Sequence, residues 1–299
     1  RQCEIDLFQT AYPDRFLHAG MAEANMVSMA GALARRGYTP FVHTFGTFAT
    51  RRPLDQIVNS VAYPALPVRL VGFMPGISSP GGPSHQAIED VALMRAIPNM
   101  TVIDLADAVE IAAAVPVIAD MPGPVYIRLK RGEIPILFDP SHPFALDRAQ
   151  VLRTGSDLAI FASGMMVSAA LAAGETLSDA GHRIAVVDVP VIKPIDRATV
   201  AQIARGTRGA VTAENHTIVG GLGSAVAEVL AEEGIGVKLR RVGLRDTFAE
   251  GSRKAPFLFR KYGLGTGDII AAAWELLGEA GPPPRAAIVQ APPGEYSPV

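Results

Sequence analysis

Short runs of β-branched and other apolar residues alternate with longer, alanine-rich stretches along most of this chain. Continuous apolar runs of this kind are typical of strands that are buried on both faces. The longer stretches between them predict helices that connect one parallel strand to the next. The strands predicted for the first half are Pro40–Phe45, Val68–Phe73, Thr101–Ile103 and Val125–Leu129. The helices predicted there are Glu23–Arg36, Pro53–Tyr63, His85–Arg95 and Ala106–Ile118.

The same alternation resumes after a proline-rich stretch, Ile134–Pro143, which we interpret as a linker. The pattern predicts an α/β chain of two consecutive domains, each a mostly parallel sheet covered by helices. We place these domains at residues 1–140 and 150–280, followed by a proline-rich tail at 281–299. The strands predicted for the second domain are Leu158–Phe161, Ile184–Asp188, Ala210–Ala213 and Lys238–Val242. Its predicted helices are Val167–Ala180, Arg197–Arg205, Ser224–Glu232 and Asp268–Glu279.

Charge and composition exclude some classes of function without naming one. The formal net charge is −2, so nothing indicates binding to nucleic acid or to an anionic membrane. No apolar run approaches the roughly 20 residues that are needed to span a bilayer. The one cysteine, Cys3, cannot form an internal disulfide, which agrees with a reducing cytoplasm. The six histidines lack the spacing of metal ligands, so we predict no metal site on this chain.

Two segments of the first half carry candidate chemistry close to predicted strands and helices. Glu23 opens a predicted helix among small and apolar neighbours, where a shielded carboxylate can act as a tuned acid or base. An ordinary first-turn glutamate is the commoner case for a residue in this position. Phe45 and Phe48 follow a predicted strand, and they suit either the protein core or the wall of a site for a flat ring.

A loop and a basic strand end are the other two candidate segments. Residues 74–84 are rich in glycine, proline and serine and precede His85, so this loop can bring backbone close to a ligand. A plain surface turn with a packing histidine is the alternative. The segment Arg128–Gly132 ends a predicted strand with basic residues, which suit a phosphate or a solvated sheet edge.

Together these segments resemble the pyrimidine-binding domain of transketolases, from about Phe8 to Pro135. The second half resembles the carboxy-terminal domain of the same family through Ala213-Glu-Asn-His216 and the glycines after it. The first resemblance rests on the order and spacing of six motifs. They are Tyr12-Pro-Asp-Arg-Phe16, Gly20-Met-Ala-Glu-Ala-Asn-Met26, Thr44-Phe-Gly-Thr-Phe48, Gly82-Pro-Ser-His-Gln86, Ile88-Glu-Asp-Val91 and Arg95-Ala-Ile-Pro-Asn-Met100.

The resemblance implies an enzyme that uses thiamine diphosphate and Mg²⁺ to transfer a two-carbon ketol unit from a ketose to an aldose. In such an enzyme Glu23 is expected to hydrogen-bond the aminopyrimidine ring nitrogen and so to activate the cofactor. Phe45 and Phe48 are expected to pack around the pyrimidine. Arg51 is expected at a further position on the pyrimidine side.

The substrate side of the expected site matches the family in part. The resemblance implies that His85 faces the substrate and hydrogen-bonds its hydroxyls, and that Arg131 binds a sugar phosphate. Two positions depart from the family pattern: Phe73 stands where a histidine is usual, and Gly81 where an aspartate is usual. A site without these polar partners loses discrimination for polar groups, so we expect a donor or acceptor outside the standard pentose-pathway sugars.

A motif of the family is also missing from this chain. In transketolases a Gly-Asp-Gly motif of another domain holds the diphosphate and the metal, and here Gly267-Asp-Ile269 is only a fragment of it. The resemblance therefore implies an amino-terminal, diphosphate-binding subunit on a separate polypeptide, in an α2β2 heterotetramer. A truncated form of a longer chain is the alternative.

Two other functions remain open on the sequence. The first half also resembles deoxyxylulose-phosphate synthases, which share the glutamate and the Gly-Pro-Ser/Thr-His-Gln turn. A non-catalytic scaffold that has lost turnover is compatible with the altered residues at 73 and 81. Retention of Glu23, both phenylalanines, His85 and Arg131 favours a catalyst.

Overall fold

In the computed structural model, which describes residues 5–130 and 134–285, two five-stranded sheets form the centre of the chain. The strands are β1 (Phe41–Phe45), β2 (Arg69–Phe73), β3 (Thr101–Asp104), β4 (Val125–Leu129), β5 (Gln150–Arg153), β6 (Leu158–Ala162), β7 (Ile184–Asp188), β8 (Val191–Lys193), β9 (Gly209–Thr217) and β10 (Lys238–Leu244). The first sheet has the order β1-β2-β4-β3-β8 and the second the order β10-β9-β6-β7-β5. The predicted α/β class with two consecutive, mostly parallel sheets is confirmed.

Helices cover both sheets, as predicted from the alanine-rich stretches. They are α1 (Asp6–Ala11), α2 (Glu23–Arg35), α3 (Gly46–Thr50), α4 (Leu54–Gln56), α5 (Asp90–Ala96), α6 (Ala108–Ala119), α7 (Met166–Asp179), α8 (Arg197–Arg205), α9 (Leu222–Glu232), α10 (Ala255–Tyr262) and α11 (Thr266–Leu277). A π-helical segment, Ile57–Ala62, continues α4, so the helix predicted over this stretch has two backbone geometries. None of the helices in the described residues is long and apolar enough to cross a membrane.

The helix predicted from His85 begins only at Asp90. The intervening residues form a loop, in which the side chain of Gln86 is buried. Its amide donates to the carbonyl of Ser79 at 3.0 Å and to the carbonyl of Glu250 at 3.3 Å. These bonds fix the end of the glycine-rich loop, and the histidine beside it, against the second half of the chain.

The first sheet receives its last strand from the second half of the chain. Strand β8 follows β7 of the second sheet, yet it pairs antiparallel with β3 of the first sheet. It covers an edge that would otherwise expose unpaired backbone groups. The domain limits predicted at 1–140 and 150–280 remain a prediction. Strand β8 lies within residues 150–280 but belongs to the sheet formed by residues of the first half. Residues 286–299 of the predicted tail lie outside the described residues.

Apolar contacts join the glycine-rich loop to the second sheet. Ile77 lies in this loop and Ile88 follows it, and both belong to the same buried cluster as Val211 of β9 and Leu258 of α10. Ile77 is fully buried there. Because well-packed interiors resist displacement, this cluster restricts how far the loop can move.

A buried polar network joins the two halves beside that apolar cluster. Arg128 of β4 donates to Asp90 and to Asp104, each at 2.9 Å, and to the backbone carbonyl of Asn215 at 3.0 Å. The hydroxyl of Tyr126 donates to Asp90 at 2.6 Å. The basic strand end was expected to bind a phosphate or to form a solvated sheet edge. Arg128 does neither, because its side chain is about 1% exposed and its guanidinium is hydrogen-bonded inside the protein.

Two carboxyl groups lie buried where α6 meets the second sheet. Glu110 accepts the backbone N–H of Ala106 at 2.6 Å and the side-chain amide of Gln150 at 3.1 Å. Burial raises the pKa of Glu110 from its ordinary 4.5 to about 7. Burial, and then the charge of Glu110, raises the pKa of Asp188 at the end of β7. The two groups favour at least one shared proton near neutral pH.

Replacing Glu110 by glutamine is expected to flatten the pH dependence of stability. The folded pKa of about 7 lies above the unfolded value of 4.5, so the contribution of Glu110 is fully present below about pH 4.5 and is lost as the pH rises through about 7. This difference amounts to up to about 3 kcal/mol of unfolding free energy. Urea unfolding of both proteins from pH 4.5 to 8 measures it.

The exposed Glu175 of α7 provides a matched control, since Glu175→Gln removes the same charge from the surface. The control should follow the wild-type profile at every pH. A Glu110→Gln profile that runs parallel to the wild-type profile would contradict the role assigned to this carboxyl group.

Candidate active site

The candidate site lies at the carboxyl edge of the first sheet. Phe45 ends β1 and is in register with Phe73, which ends β2. Helix α3 follows β1 directly and places Phe48 one turn beyond Phe45. Ligands of parallel α/β sheets usually bind beyond the carboxyl ends of the strands.

Three of the predicted site residues form one aromatic cluster. The ring of His85 lies 5.7 Å from that of Phe45 and 5.2 Å from that of Phe48, measured between ring centroids. The two phenylalanine rings are 5.9 Å apart, and all three pairs meet edge to face. Each of the three residues is partly exposed, so the cluster presents an apolar wall with one polar ring to the surface.

Glu23 reaches the same cluster through an arginine. It is the first residue of α2, where a carboxylate interacts favourably with the helix dipole, and it is 6% exposed. The Nη1 atom of Arg52 donates to both of its oxygens, at 2.9 and 3.0 Å. The guanidinium of Arg52 lies over the ring of Phe48, 4.1 Å from its centroid. Glu23, Arg52 and Phe48 therefore form one contact chain.

Arg51, which the family resemblance leads us to expect beside the pyrimidine, is directed toward the glycine-rich loop. It forms an ion pair with Glu89 and donates to the carbonyls of Pro83 at 2.9 Å and Gln86 at 3.3 Å. The hydrogen bond to Glu89 raises the pKa of Arg51. In this arrangement Arg51 holds the loop, whereas its neighbour Arg52 contacts Glu23. Sequence reasoning did not assign Arg52, although the Arg51-Arg52 pair was visible.

Gly81 is required for the position of His85. A Cβ atom at residue 81 would lie 2.5 Å from Cβ of His85 and 2.7 Å from Cγ, far inside van der Waals contact. Ser84 also helps to hold the ring, since its hydroxyl lies 2.9 Å from Nδ1 of His85. An aspartate at 81 would therefore displace His85 from the aromatic cluster, so this departure from the family pattern is linked to where the histidine lies.

Phe73, the second departure, contributes an apolar ring beneath the cluster. It is 4% exposed, and its centroid lies 6.2 Å from that of Phe45 and 5.5 Å from that of His43. The Nε2 atom of His43 is buried and has no hydrogen-bond partner within the described part of the chain. Burial lowers the pKa of His43, which favours the neutral ring. No signal in the sequence separated this histidine from an ordinary packing residue.

Arg131, the predicted phosphate ligand, lies outside the described residues. The preceding residue, Lys130, has its ammonium directed inward, where it donates to the carbonyls of Leu105 at 2.7 Å and Ala106 at 3.2 Å. Within residues 5–130 and 134–285, no group of three or more His, Cys, Asp or Glu could hold a metal ion.

Comparison with known proteins identifies both halves of the chain. The pyrimidine-binding domain of transketolases matches residues 5–136, and the transketolase C-terminal domain matches residues 147–269. An uncharacterized transketolase family protein of Sinorhizobium fredii, y4mN, is 44% identical over 92% of this chain and 81% of that protein. The 6-deoxy-6-sulfo-D-fructose transketolase subunit SqwH of Clostridium sp. is 44% identical over 91% of this chain and 84% of that protein.

A longer enzyme and a solved structure are also similar. The chain is 37% identical to 1-deoxy-D-xylulose-5-phosphate synthase of Syntrophotalea carbinolica, of which it spans 42%. A structure described as a split gene transketolase, inactive beta4 tetramer, superposes with a TM-score of 0.84 at 43% identity, over 91% of this chain and 87% of that one. The two matched domains and the near full-length relatives show that this chain belongs to the transketolase family.

Proposed function

We propose that this chain is the carboxy-terminal subunit of a thiamine-diphosphate-dependent, transketolase-like enzyme that transfers a two-carbon ketol unit. The observation that carries the proposal is the buried carboxylate of Glu23 at a helix start, connected to the aromatic wall of Phe45, Phe48 and His85. A carboxylate beside flat rings at the edge of a parallel sheet suits a heteroaromatic ring with nitrogen donors and acceptors.

The residues fit the pyrimidine half of this cofactor. Arg52 already presents a planar nitrogen donor to Glu23 and a flat surface to Phe48, which are the two contacts that an aminopyrimidine needs. When bound, thiamine diphosphate supplies the electron sink that allows a carbon–carbon bond beside a carbonyl to break. Glu23 would hold and move a proton at the pyrimidine nitrogen, and the phenylalanines would exclude water from it. His85 would donate a hydrogen bond to a substrate hydroxyl.

The diphosphate and its divalent metal are assigned to a partner chain in this proposal. The sequence has no Gly-Asp-Gly motif, and this chain resembles a split gene transketolase over 91% of its own length and 87% of that chain. An amino-terminal subunit would complete the site across the exposed aromatic wall. We infer an α2β2 heterotetramer, since each partner then closes one site at each interface.

The substrate proposal rests on the residues at 73 and 81. Phe73 and Gly81 replace polar side chains with an apolar ring and with no side chain, which favours a ketose other than the standard pentose phosphates. The similarity to a 6-deoxy-6-sulfo-D-fructose transketolase subunit makes a sulfonated hexose the first substrate to try, beside phosphorylated ketoses. Deoxyxylulose-phosphate synthesis is the second candidate, supported by the similarity to that synthase.

Calorimetric titration of thiamine diphosphate with Mg²⁺ tests the proposal, first into this chain alone and then into the chain assembled with its amino-terminal subunit. We expect binding only in the assembled protein, because each chain holds half of the cofactor. Tight binding by the isolated chain would contradict the split site. No binding in either case would favour a non-catalytic scaffold. Product analysis with a ketose and an aldose, and with pyruvate and glyceraldehyde 3-phosphate, separates the two candidate reactions.

A further inference from the structure

Arg52 occupies the place that the proposed function gives to the pyrimidine ring. Its Nη1 atom contacts both oxygens of Glu23, at 2.9 and 3.0 Å, and its guanidinium covers the face of Phe48 at 4.1 Å. No other hydrogen bond or ion pair of the Glu23 carboxylate occurs among residues 5–130 and 134–285. A planar ligand that pairs with this carboxylate and lies on this ring would collide with the guanidinium.

We propose that Arg52 is a displaceable latch, which caps Glu23 and Phe48 in the unloaded chain and must move aside before the cofactor ring can bind. The inference rests on the proposed function, because it takes Glu23 as the pyrimidine-binding carboxylate. It adds a residue that controls loading of the cofactor. A buried carboxylate without a partner is unfavourable, so the latch stabilises the unloaded chain and competes with the ring.

The surroundings of Arg52 allow it to leave. Its side chain is 51% exposed and uses one nitrogen for the carboxylate, so water can replace its contacts on the solvent side. Its neighbour Arg51 differs, since it is anchored by Glu89 and by the carbonyls of Pro83 and Gln86. Of the two adjacent arginines, only Arg52 combines direct contact with Glu23 and an exposed route away from it.

Titration of thiamine diphosphate with Mg²⁺ into the assembled enzyme tests the latch by affinity. Arg52→Gln is expected to lower the Kd roughly threefold to tenfold, which corresponds to loss of one exposed ion pair and one cation–π contact that the ring otherwise displaces. The control is Arg35→Gln in the last turn of α2, which removes an exposed arginine far from Glu23 along the same helix. Its Kd should equal that of the wild type.

Each other outcome of this titration is informative. A Kd for Arg52→Gln that is unchanged or higher than the wild-type value overturns the latch, because the arginine is then neutral toward the cofactor or helps to hold it. The proposed function stands in that case. Absence of binding by the wild type and all variants overturns the proposed function together with the latch.

A second measurement uses this chain alone and needs no cofactor. In urea unfolding, Arg52→Gln is expected to lower the folded-to-unfolded ratio about threefold in the wild-type background and by a smaller factor in a Glu23→Gln background, where only the contact with Phe48 is left to lose. Equal effects in both backgrounds would mean that the ion pair does not form in solution. That result would overturn the latch independently of the titration.

Discussion

Replacing Glu23 by glutamine is expected to lower kcat for ketol transfer by roughly 10²–10⁴-fold, the usual contribution of a positioned acid or base. The amide keeps the size of the side chain and one hydrogen-bond acceptor, but it cannot exchange a proton with a pyrimidine nitrogen, as the proposed function requires. Because Glu23 opens α2 and its carboxylate has the half-exposed Arg52 as its one hydrogen-bond partner within residues 5–130 and 134–285, the fold should be retained. Steady-state and single-turnover rates of the assembled enzyme measure the effect on chemistry.

Glu228→Gln is the matched control for this prediction. Glu228 lies on α9, and its side chain is 56% exposed in an ion pair with Arg95, far from the aromatic cluster. Its removal should leave kcat within about twofold of the wild type, as expected for a surface pair. A Glu23→Gln enzyme that retained more than a tenth of the wild-type kcat would contradict the catalytic role of Glu23. A scaffold would keep partner binding unchanged in both variants.

Arg128→Met is expected to lower the unfolding free energy by about 3–5 kcal/mol, because it leaves carboxylates buried without their cation. Arg128 connects Asp90 of α5 with Asp104 of β3, and both side chains are at most 2% exposed. Its remaining bond reaches the backbone of Asn215 in the second sheet. Loss of the guanidinium therefore removes a polar connection between the two halves, and urea unfolding of the variant and the wild type measures the loss of stability.

Two further variants make this prediction decisive. Arg35→Gln, at the exposed end of α2, should unfold at the same urea concentration as the wild type. If Arg128→Met does not fold, Arg128→Lys can be measured in its place. Its ammonium keeps the charge but cannot reach three acceptors at once, so an intermediate loss is expected. An Arg128→Met protein within 1 kcal/mol of the wild type would mean that the network adds no net stability.

The strands show where the pattern of apolar residues along the chain is sufficient to predict secondary structure and where it is not. Strands β2, β4 and β7 are buried on both faces, so their apolar runs predicted them almost to the residue. Strands β5 and β8 were not predicted. Both are short and pair antiparallel at the edges of their sheets, with partners chosen by the fold and not by their own composition.

The residues of the candidate site were also predicted only in part from the sequence. The spacing of motifs was enough to select Glu23, Phe45, Phe48 and His85, and the fold brings these residues to one edge of a sheet. Their roles remain predictions. The pattern could not choose between Arg51 and Arg52, because neighbouring residues on a helical turn point about 100° apart and only the packed loop decides which direction meets Glu23.

By itself, the sequence determined the class of fold, the order of the main strands and helices and the family, because each of these follows from local periodicity and from short motifs. The tertiary structure decided which polar side chains lie inside. Arg128 belongs to a basic strand end, yet it is buried because its acceptors include a carbonyl 87 residues away along the chain. The need for glycine at position 81 becomes visible only in the folded chain, where the side chain of His85 occupies the space that a side chain at 81 would need. Burial and contact depend on groups that are distant in sequence, and only the folded chain brings them together.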